Sequence, residues 1–216
     1  MQYRQAIQLK DGRECILRSG TATDGQAAMD CFVLTHSQTD ELFSYPDEIH
    51  LTPEKEARFL TERAESADEL EILAEVDGRV VGLAGLDRIG RQAKVRHRVN
   101  FGISIDRAYW GLGIGRAMTK ACIACAKEIG YAQVELEVVA ENRRAIALYE
   151  SEGFREYGRN PKGFRSRFTG WQEIVLMRLD LTEDENRERR YGRKRENGNG
   201  TAAHRRDPGN GSAGLF

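Results

Sequence analysis

The chain has 216 residues, with 33 Lys and Arg against 34 Asp and Glu, so its formal net charge is −1. This length suits one domain, or one domain with an appendage. A charge near zero disfavours a nucleic-acid binder, because neutralising phosphates requires a cationic excess. The sequence contains no run of 18 apolar residues, it opens without a signal-peptide pattern, and its four cysteines are too few for a disulfide scaffold. We therefore expect a cytoplasmic protein with no membrane partner.

The charge is unevenly distributed along the chain. Residues 183–216 hold eight basic and six acidic residues but only six apolar ones. Because this segment can bury too little surface to offset the entropy of ordering, we predict a folded domain over 1–182 and a disordered tail over 183–216. The basic cluster at 187–195 leaves RNA or anionic lipid open as a partner of the tail, although its composition favours a solvated segment. The exclusion of nucleic acid applies to the folded domain.

Hydrophobic periodicity predicts strands and helices in the order β-α-α-β-β-β-α-β-α-β. The predicted strands are 13–18, 70–76, 79–86, 95–105, 133–139 and 171–181; the predicted helices begin near Thr23 and span 52–67, 116–129 and 142–151. Asp77 and Gly78 favour a type I′ hairpin turn. The order predicts a mixed sheet with helices packed on it.

A glycine-rich loop lies between a predicted strand and a predicted helix. It runs from Trp110 to Arg116 with the sequence WGLGIGR. Glycines let a backbone approach a ligand closely, and the free N–H groups at a helix start bind phosphate. The spacing matches neither the dinucleotide fingerprint GxGxxG nor the P-loop, which disfavours a Rossmann-type protein. A tight turn without a ligand is the alternative interpretation of this loop.

A second motif follows the next predicted strand. Asn142 is a good helix N-cap, and Tyr149 lies seven residues further on, about two turns along the same side of the helix. Capping and core packing explain these two residues without a ligand. Together with the glycine loop, however, they predict a ligand enclosed between two strand ends.

The stretch from Phe101 to Phe154 resembles the GCN5-related N-acetyltransferase (GNAT) superfamily. The loop pattern [QR]-x-x-G-x-[GA] of that family corresponds to residues 110–115, with Trp110 in place of Gln or Arg. The later pattern, Asn-x-x-Ala-x-x-x-Tyr followed by Gly-Phe, corresponds to 142–149 and 153–154. The resemblance implies an α/β (α+β) fold over residues 1–182, with a mixed, mostly antiparallel central sheet that is splayed between two strands and has helices on both faces.

The resemblance also implies the activity and its residues. Family members move the acetyl group of acetyl-CoA directly to an amine. The residues that it assigns to the cofactor are Ile103, Ser104, Ile105, Gly111, Leu112, Gly113, Ile114, Gly115, Arg116 and Asn142. Amides of the glycine loop would hold the pyrophosphate, and residues 103–105 would pair with the pantetheine arm. Tyr149 would be the general acid that protonates the departing thiolate.

The general base is less clearly marked. An alkylammonium must lose a proton before it attacks, and Asn100, at the position where related sequences often carry Glu, cannot accept it. Glu137 shares one strand face with Glu135 and lies nearer the expected thioester, so it is our candidate base. His97 and a water chain to bulk solvent remain alternatives, as does a solvated face without function.

The acceptor and the partners are open at this stage. We predict a primary amine of a small molecule or amino acid as acceptor, with a protein N-terminus or lysine as the alternative. Candidates for the acceptor wall are Phe43, Tyr45, Glu48, Glu173 and the segment 159–171, which we expect to be a loop. A homodimer is one possible assembly, and a non-catalytic CoA-binding module is the competing class. No metal is expected, because Cys122 and Cys125 lie within a predicted helix and the histidines lack ligand spacing.

Overall fold

The computed structural model describes residues 2–182, and the predicted tail at 183–216 lies outside the described residues. The strands are β1 (Arg4–Gln8), β2 (Glu14–Ser19), β3 (Leu70–Val76), β4 (Arg79–Arg88), β5 (Arg98–Ile105), β6 (Gln133–Val139), β7 (Arg155–Ser166) and β8 (Gly170–Asp180). The helices are α1 (Gly25–Ser37), α2 (Pro53–Glu65), α3 (Ile114–Ile129) and α4 (Arg143–Ser151). Short 3₁₀ turns occur at Ala22–Asp24, Pro46–Glu48 and Arg107–Tyr109.

The strands form one eight-stranded sheet in the order β1-β2-β3-β4-β5-β6-β8-β7. Every neighbouring pair is antiparallel except β5 and β6, which are parallel. Their pairing is short, because it runs only from Arg98 opposite Gln133 to Asn100 opposite Glu135. Beyond that point β5 stays paired with β4 and β6 stays paired with β8. The two strands therefore diverge, and the predicted splayed sheet is confirmed.

Helices cover both faces of the sheet, as predicted. On one face, Leu60 of α2 and Cys31 of α1 pack with Leu73, Val80 and Leu83 in a small buried cluster. On the other face, α3 and α4 form a larger core with the sheet. Its members include Ile114, Met118, Cys122, Cys125, Val134, Leu136, Ile146 and Tyr149. All four cysteines are buried and free, which agrees with a packing role for the pair on α3.

Local sequence signals account for most of the element boundaries. Asp77 and Gly78 both have positive φ, 51° and 75°, and join β3 to β4 in the predicted hairpin. Thr52 caps α2 by accepting a hydrogen bond from the Lys55 N–H, and Pro53 occupies the first helical position. The strand predicted from residue 95 begins instead at Arg98, because residues 92–96 form a turn closed by N–H groups that donate to the Gln92 carbonyl.

Two strands were missed, and both lie at the edges of the sheet. Hydrophobic periodicity did not predict β1, and residues 159–171 were expected to form a loop, whereas most of this segment belongs to β7. That assignment was wrong because most β7 side chains are exposed, so no hydrophobic alternation marks the strand. The register shift between Asn160 and Phe164, around Pro161, obscures it further.

Within residues 2–182, no helix is long and apolar enough to cross a membrane. The same residues contain no group of three His, Cys, Asp or Glu side chains arranged to hold a metal ion.

One buried carboxylate, that of Asp24, lies at the start of α1. Asp24 accepts hydrogen bonds from Arg18 Nη1 and Nη2 at 2.8 and 2.7 Å, and from the N–H and hydroxyl of Thr21 at 2.8 and 2.7 Å. Arg18 lies on β2, so this contact ties the helix to the sheet. The Arg18 guanidinium and the Thr21 donors lower the pKa of Asp24 to about 2, against the desolvation that burial imposes.

We expect Asp24→Asn to lower the free energy of unfolding by about 2 kcal/mol at pH 7. Because the pKa of this carboxyl is lower in the folded than in the unfolded state, its stabilisation is fully present above about pH 4 and is lost as the pH falls towards 2. Urea unfolding from pH 2 to 7 measures this, with exposed Asp30→Asn as control. A deficit that stays constant down to pH 2 would contradict the assignment.

Candidate functional site

The divergence of β5 and β6 opens a cleft of about 600 Å³. Its walls come from the end of β5, the glycine loop, the start of α3, the α4 helix and the segment after α1. The predicted cofactor residues that line it are Ile103, Ser104, Ile105, Gly111, Gly113, Ile114, Gly115, Arg116 and Asn142. Tyr149 lines it as well. The structure therefore brings both sequence motifs to one cavity.

The glycine loop delivers free amides to the cleft. Gly111 and Gly113 have φ of 85° and 105°, which side-chain-bearing residues rarely adopt, and Gly113 is the N-cap of α3. No side chain caps this helix, so the N–H groups of its first turn point out of the helix start with the positive end of its dipole. This arrangement suits a phosphate.

Leu112 differs from its neighbours in the loop. It is absent from the cleft lining, and its side chain packs against the larger core. Its carbonyl accepts a hydrogen bond from the Lys10 N–H at 3.1 Å. The turn between β1 and β2 is therefore hydrogen-bonded to the glycine loop. Lys10 itself lines the cleft.

Asn142 has the capping role considered for it and also lines the cleft. Its Oδ1 accepts a hydrogen bond from the Ala145 N–H at 3.0 Å, so it caps α4. The oxygen is thereby occupied, and the Nδ2 amide is the group left to donate into the cleft. Contact of Asn142 with a pantetheine arm would use that donor.

Tyr149 projects from α4 into the cleft from a mostly apolar environment. Its ring meets Phe101 edge-on at 6.1 Å between centroids and lies 5.8 Å from Phe154. Burial raises its pKa well above the ordinary value of a phenol, so the hydroxyl stays protonated throughout the physiological pH range. A protonated hydroxyl held in this position can donate to an atom in the cleft.

The candidate base Glu137 lies outside the cleft lining, on the opposite face of the sheet from α3 and α4. Asn100 of β5 and Glu135 of β6 are partners, so Gly102 and Glu137, each two residues further on, occupy equivalent positions on the diverging strands and share that face. A Cβ on Gly102 would meet no heavy atom within 4 Å, so the space beside it is open. The face of the sheet that carries Glu137 therefore has open space at Gly102.

The charge environment of Glu137 differs from that of the other candidate carboxylates. Glu135 is paired with Arg98, Glu48 with Arg167 and Glu173 with Arg159. Within residues 2–182, Glu137 makes no hydrogen bond or ion pair through its carboxylate. His97 is exposed in the turn before β5 and is absent from the cleft lining.

Sequence reasoning missed several cleft residues. Thr35, Thr39, Glu41 and Leu42 line the side near α1, and Thr35 Oγ1 donates to Ser104 Oγ at 3.2 Å. On the other side, Glu141, Arg143, Arg144 and Leu148 contribute. No residue pattern marks these positions, since they reach the cleft only through the packing of α1 and α4 against the sheet.

Asp40 connects the segment after α1 to the β7–β8 hairpin. Its carboxylate accepts hydrogen bonds from Ser166 Oγ at 2.5 Å, from Tyr45 Oη at 3.1 Å, and from Thr169 and Gln172 at 3.3 Å each. Tyr45 and residues 159–171 therefore meet, as the predicted acceptor wall requires. Phe43 and Phe168 are strongly exposed beside them.

Fold and cleft together define an acyl-CoA N-acyltransferase fold. The sequence profile of the Acetyltransferase (GNAT) family matches residues 34–154, and the chain belongs to that family. The recognition made from the two motifs is confirmed.

Three known proteins show the extent of the likeness. The N-alpha-acetyltransferase RimI of Mycobacterium tuberculosis is 38% identical over 88 residues, 41% of this chain and 53% of the relative. An N-alpha-acetyltransferase of Sulfurisphaera tokodaii is 34% identical over 133 residues, 57% of this chain and 76% of the relative. The chain thus spans about half the length of the first of these relatives.

The structure of yncA from Salmonella typhimurium, solved with its cofactor acetyl-CoA, superposes with a TM-score of 0.69 at 20% identity. The match covers 78% of this chain and 95% of that one. At this identity the likeness concerns the fold.

The positive φ of Gly113 leads to a prediction for ligand binding. We expect Gly113→Ala to weaken coenzyme A binding roughly tenfold, because an alanine there strains the turn that aims the amides, by about 1–2 kcal/mol. Calorimetric titration with coenzyme A measures the effect. Gly170→Ala is the matched control, since Gly170 has φ of 81° in the β7–β8 turn, away from the cleft. Equal losses of affinity in both variants would show that the glycine loop has no special part in binding.

Proposed function

We propose that this protein is an acetyl-CoA-dependent N-acetyltransferase that acts on a primary amine. The observation that carries the proposal is the convergence of the free amides of α3, the unpaired side of β5 and the hydroxyl of Tyr149 on one cleft. Acetyl-CoA, the cofactor in the Salmonella structure, has the chemistry that these groups suit: an anionic pyrophosphate, an amide-rich arm and a thioester.

The proposed reaction needs three functions from the protein. The amine nitrogen attacks the thioester carbonyl carbon, a C–N bond forms, the C–S bond breaks, and the proton of the amine must leave. A backbone N–H of β5 beyond Asn100, where β6 no longer pairs, polarises the carbonyl. Tyr149 donates its proton to the departing thiolate and regains one from solvent.

We assign the proton-accepting function to Glu137. It is an unpaired carboxylate on the face of the sheet opposite α3 and α4, beside the open space at Gly102. An amine that enters on this face meets Glu137 before it reaches a thioester lying in the gap. The cleft carboxylates Glu41 and Glu141 are the competing bases, and His97 is a third.

For the acceptor we propose the α-amine of a peptide or protein N-terminus. The names of both relatives specify N-alpha acetylation. The exposed rings of Phe43, Phe168 and Trp171 lie around the β7–β8 hairpin and the segment after α1. Their combined apolar area is larger than a free amino acid can cover, which favours a peptide. The small-molecule amine predicted from the sequence is the competing outcome.

Location and assembly belong to the proposal as well. We propose a cytoplasmic enzyme. Whether two chains associate as a homodimer is a separate question, and analytical ultracentrifugation answers it.

Thiol release from acetyl-CoA tests the function directly. We expect release with peptides that bear a free N-terminus, none with N-terminally blocked peptides, and little with free amino acids. We expect Tyr149→Phe to lower kcat about 10²-fold or more while coenzyme A affinity changes little, since only proton donation is lost. Binding of coenzyme A without release for any amine would favour a non-catalytic module, and absence of binding would refute the proposal.

The base assignment makes a prediction about turnover. We expect Glu137→Gln to lower kcat about 10²-fold, because glutamine cannot accept the proton. Glu41→Gln, Glu141→Gln and His97→Ala serve as parallel variants. A loss of kcat of this size in one of the parallel variants, with Glu137→Gln unaffected, would assign the proton-accepting role to that residue. Unchanged kcat in all four variants would indicate deprotonation through water.

A further inference from the structure

Trp110 stands where the family pattern has Gln or Arg, and the structure fixes its ring firmly. The indole N–H donates to the carbonyl of Ile105, the last residue of β5, at 2.7 Å. Its own backbone N–H donates to the Arg107 carbonyl at 3.2 Å. The side chain is therefore held against the strand end, and both Trp110 and Ile105 line the cleft.

Two guanidinium groups lie over the ring of Trp110. Arg144 Cζ lies 5.1 Å from the ring centroid and Arg107 Cζ lies 5.7 Å from it. Both distances are within the range in which a cation is attracted to the face of an indole. Arg144 lies in the first turn of α4 and lines the cleft, so the ring connects the glycine loop side of the cleft to α4.

The guanidinium of Arg144 has no acidic partner among the described residues. By contrast, Arg116, which also lines the cleft, is paired with Glu152 of the turn after α4. The guanidinium of Arg144 thus has no ion-pair partner within residues 2–182 and is oriented by an aromatic ring, at a cleft that also presents the free amides of α3. A guanidinium in such a setting suits a phosphate oxygen pair.

We propose that Trp110 is a positioning residue that holds the Arg144 guanidinium for a phosphate group of the coenzyme A nucleotide. This inference rests on the proposed function. The indole takes the place of a side chain that would reach the phosphate itself, and Arg144 supplies the charge from the neighbouring helix. The ligand chemistry is a phosphate oxyanion, which coenzyme A offers both in its pyrophosphate and at the ribose 3′ position.

A double-mutant cycle on the full chain tests this assignment. We expect Arg144→Ala to raise the Kd of coenzyme A about tenfold, and Trp110→Leu to raise it several-fold. In the Arg144→Ala background, Trp110→Leu should have no further effect, because the residue acts through the arginine. Trp110→Phe keeps an aromatic face and should recover much of the affinity. Full additivity of Trp110→Leu and Arg144→Ala would overturn the proposal.

Two further measurements separate a positioning role from a structural one. In the Arg143→Ala background, Trp110→Leu should still raise the Kd of coenzyme A by its full amount. Among the described residues, the guanidinium groups over the indole belong to Arg107 and Arg144 and not to Arg143. If Arg144 meets the 3′-phosphate, the variants should lose discrimination between coenzyme A and 3′-dephospho-coenzyme A; if it meets the pyrophosphate, both ligands should weaken equally. Unchanged affinity for both ligands in Arg144→Ala would exclude either contact.

The fluorescence of Trp110 gives an independent signature. The chain has two tryptophans, so Trp171→Phe leaves Trp110 as the sole emitter. Coenzyme A binding should change its emission in this variant, and the change should be lost when Arg144→Ala is added. Absence of any change despite calorimetric binding would contradict the contact. A wild-type protein that binds no coenzyme A would instead refute the proposed function, which is a distinguishable result.

Discussion

The parallel pairing of β5 with β6 stops after the Asn100–Glu135 pair, and the site depends on that stop. A strand normally satisfies its backbone groups on both sides, yet from Phe101 onward β5 has a partner only in β4. The free side of the strand is a row of amide and carbonyl groups that an amide-rich ligand can satisfy. The helices α3 and α4 then begin beside this gap, so their amino-terminal ends face the same space.

The divergence also separates the two sides of the proposed chemistry. On one face lie Tyr149 and the free amides of α3, which suit the cofactor and the leaving thiolate. On the other lie the open space at Gly102 and the unpaired carboxylate of Glu137. The proposed proton donor and the proposed proton acceptor are thus on opposite faces of the same sheet, on either side of the gap.

The sequence predicted the central elements well because their signals are local. Asp77-Gly78 specifies its turn through positive φ, and Thr52-Pro53 specifies a helix start through capping and a fixed φ. The edge strands β1 and β7 gave no such signal, because side chains in solvent leave no periodic pattern. The motif around Gly113 and Tyr149 located the cleft.

The remaining parts of the site depend on tertiary packing. Glu41 and Arg144 lie next to predicted features in the chain, but nothing in their neighbours shows that they face the cleft. The contacts of Trp110 could not be predicted from the sequence either, since its hydrogen-bond partner Ile105 is five residues away and Arg144 lies on another element. Which carboxylates remain unpaired, as Glu137 does, depends on where arginines from distant strands are placed.

The four hydrogen bonds that converge on Asp40 have a mechanical consequence. Three of them join the segment after α1 to the β7–β8 hairpin, which comes from the far end of the domain sequence, and the fourth ties Tyr45 to Asp40 within that segment. The proposed acceptor entrance is then framed by one linked unit instead of two separate loops. Widening it requires these bonds to break together or the whole frame to swing on the helix and strands that carry it. Access for the proposed acceptor would therefore depend on this linked frame as a whole, which the ion pairs of Arg167 with Asp47 and Glu48 reinforce.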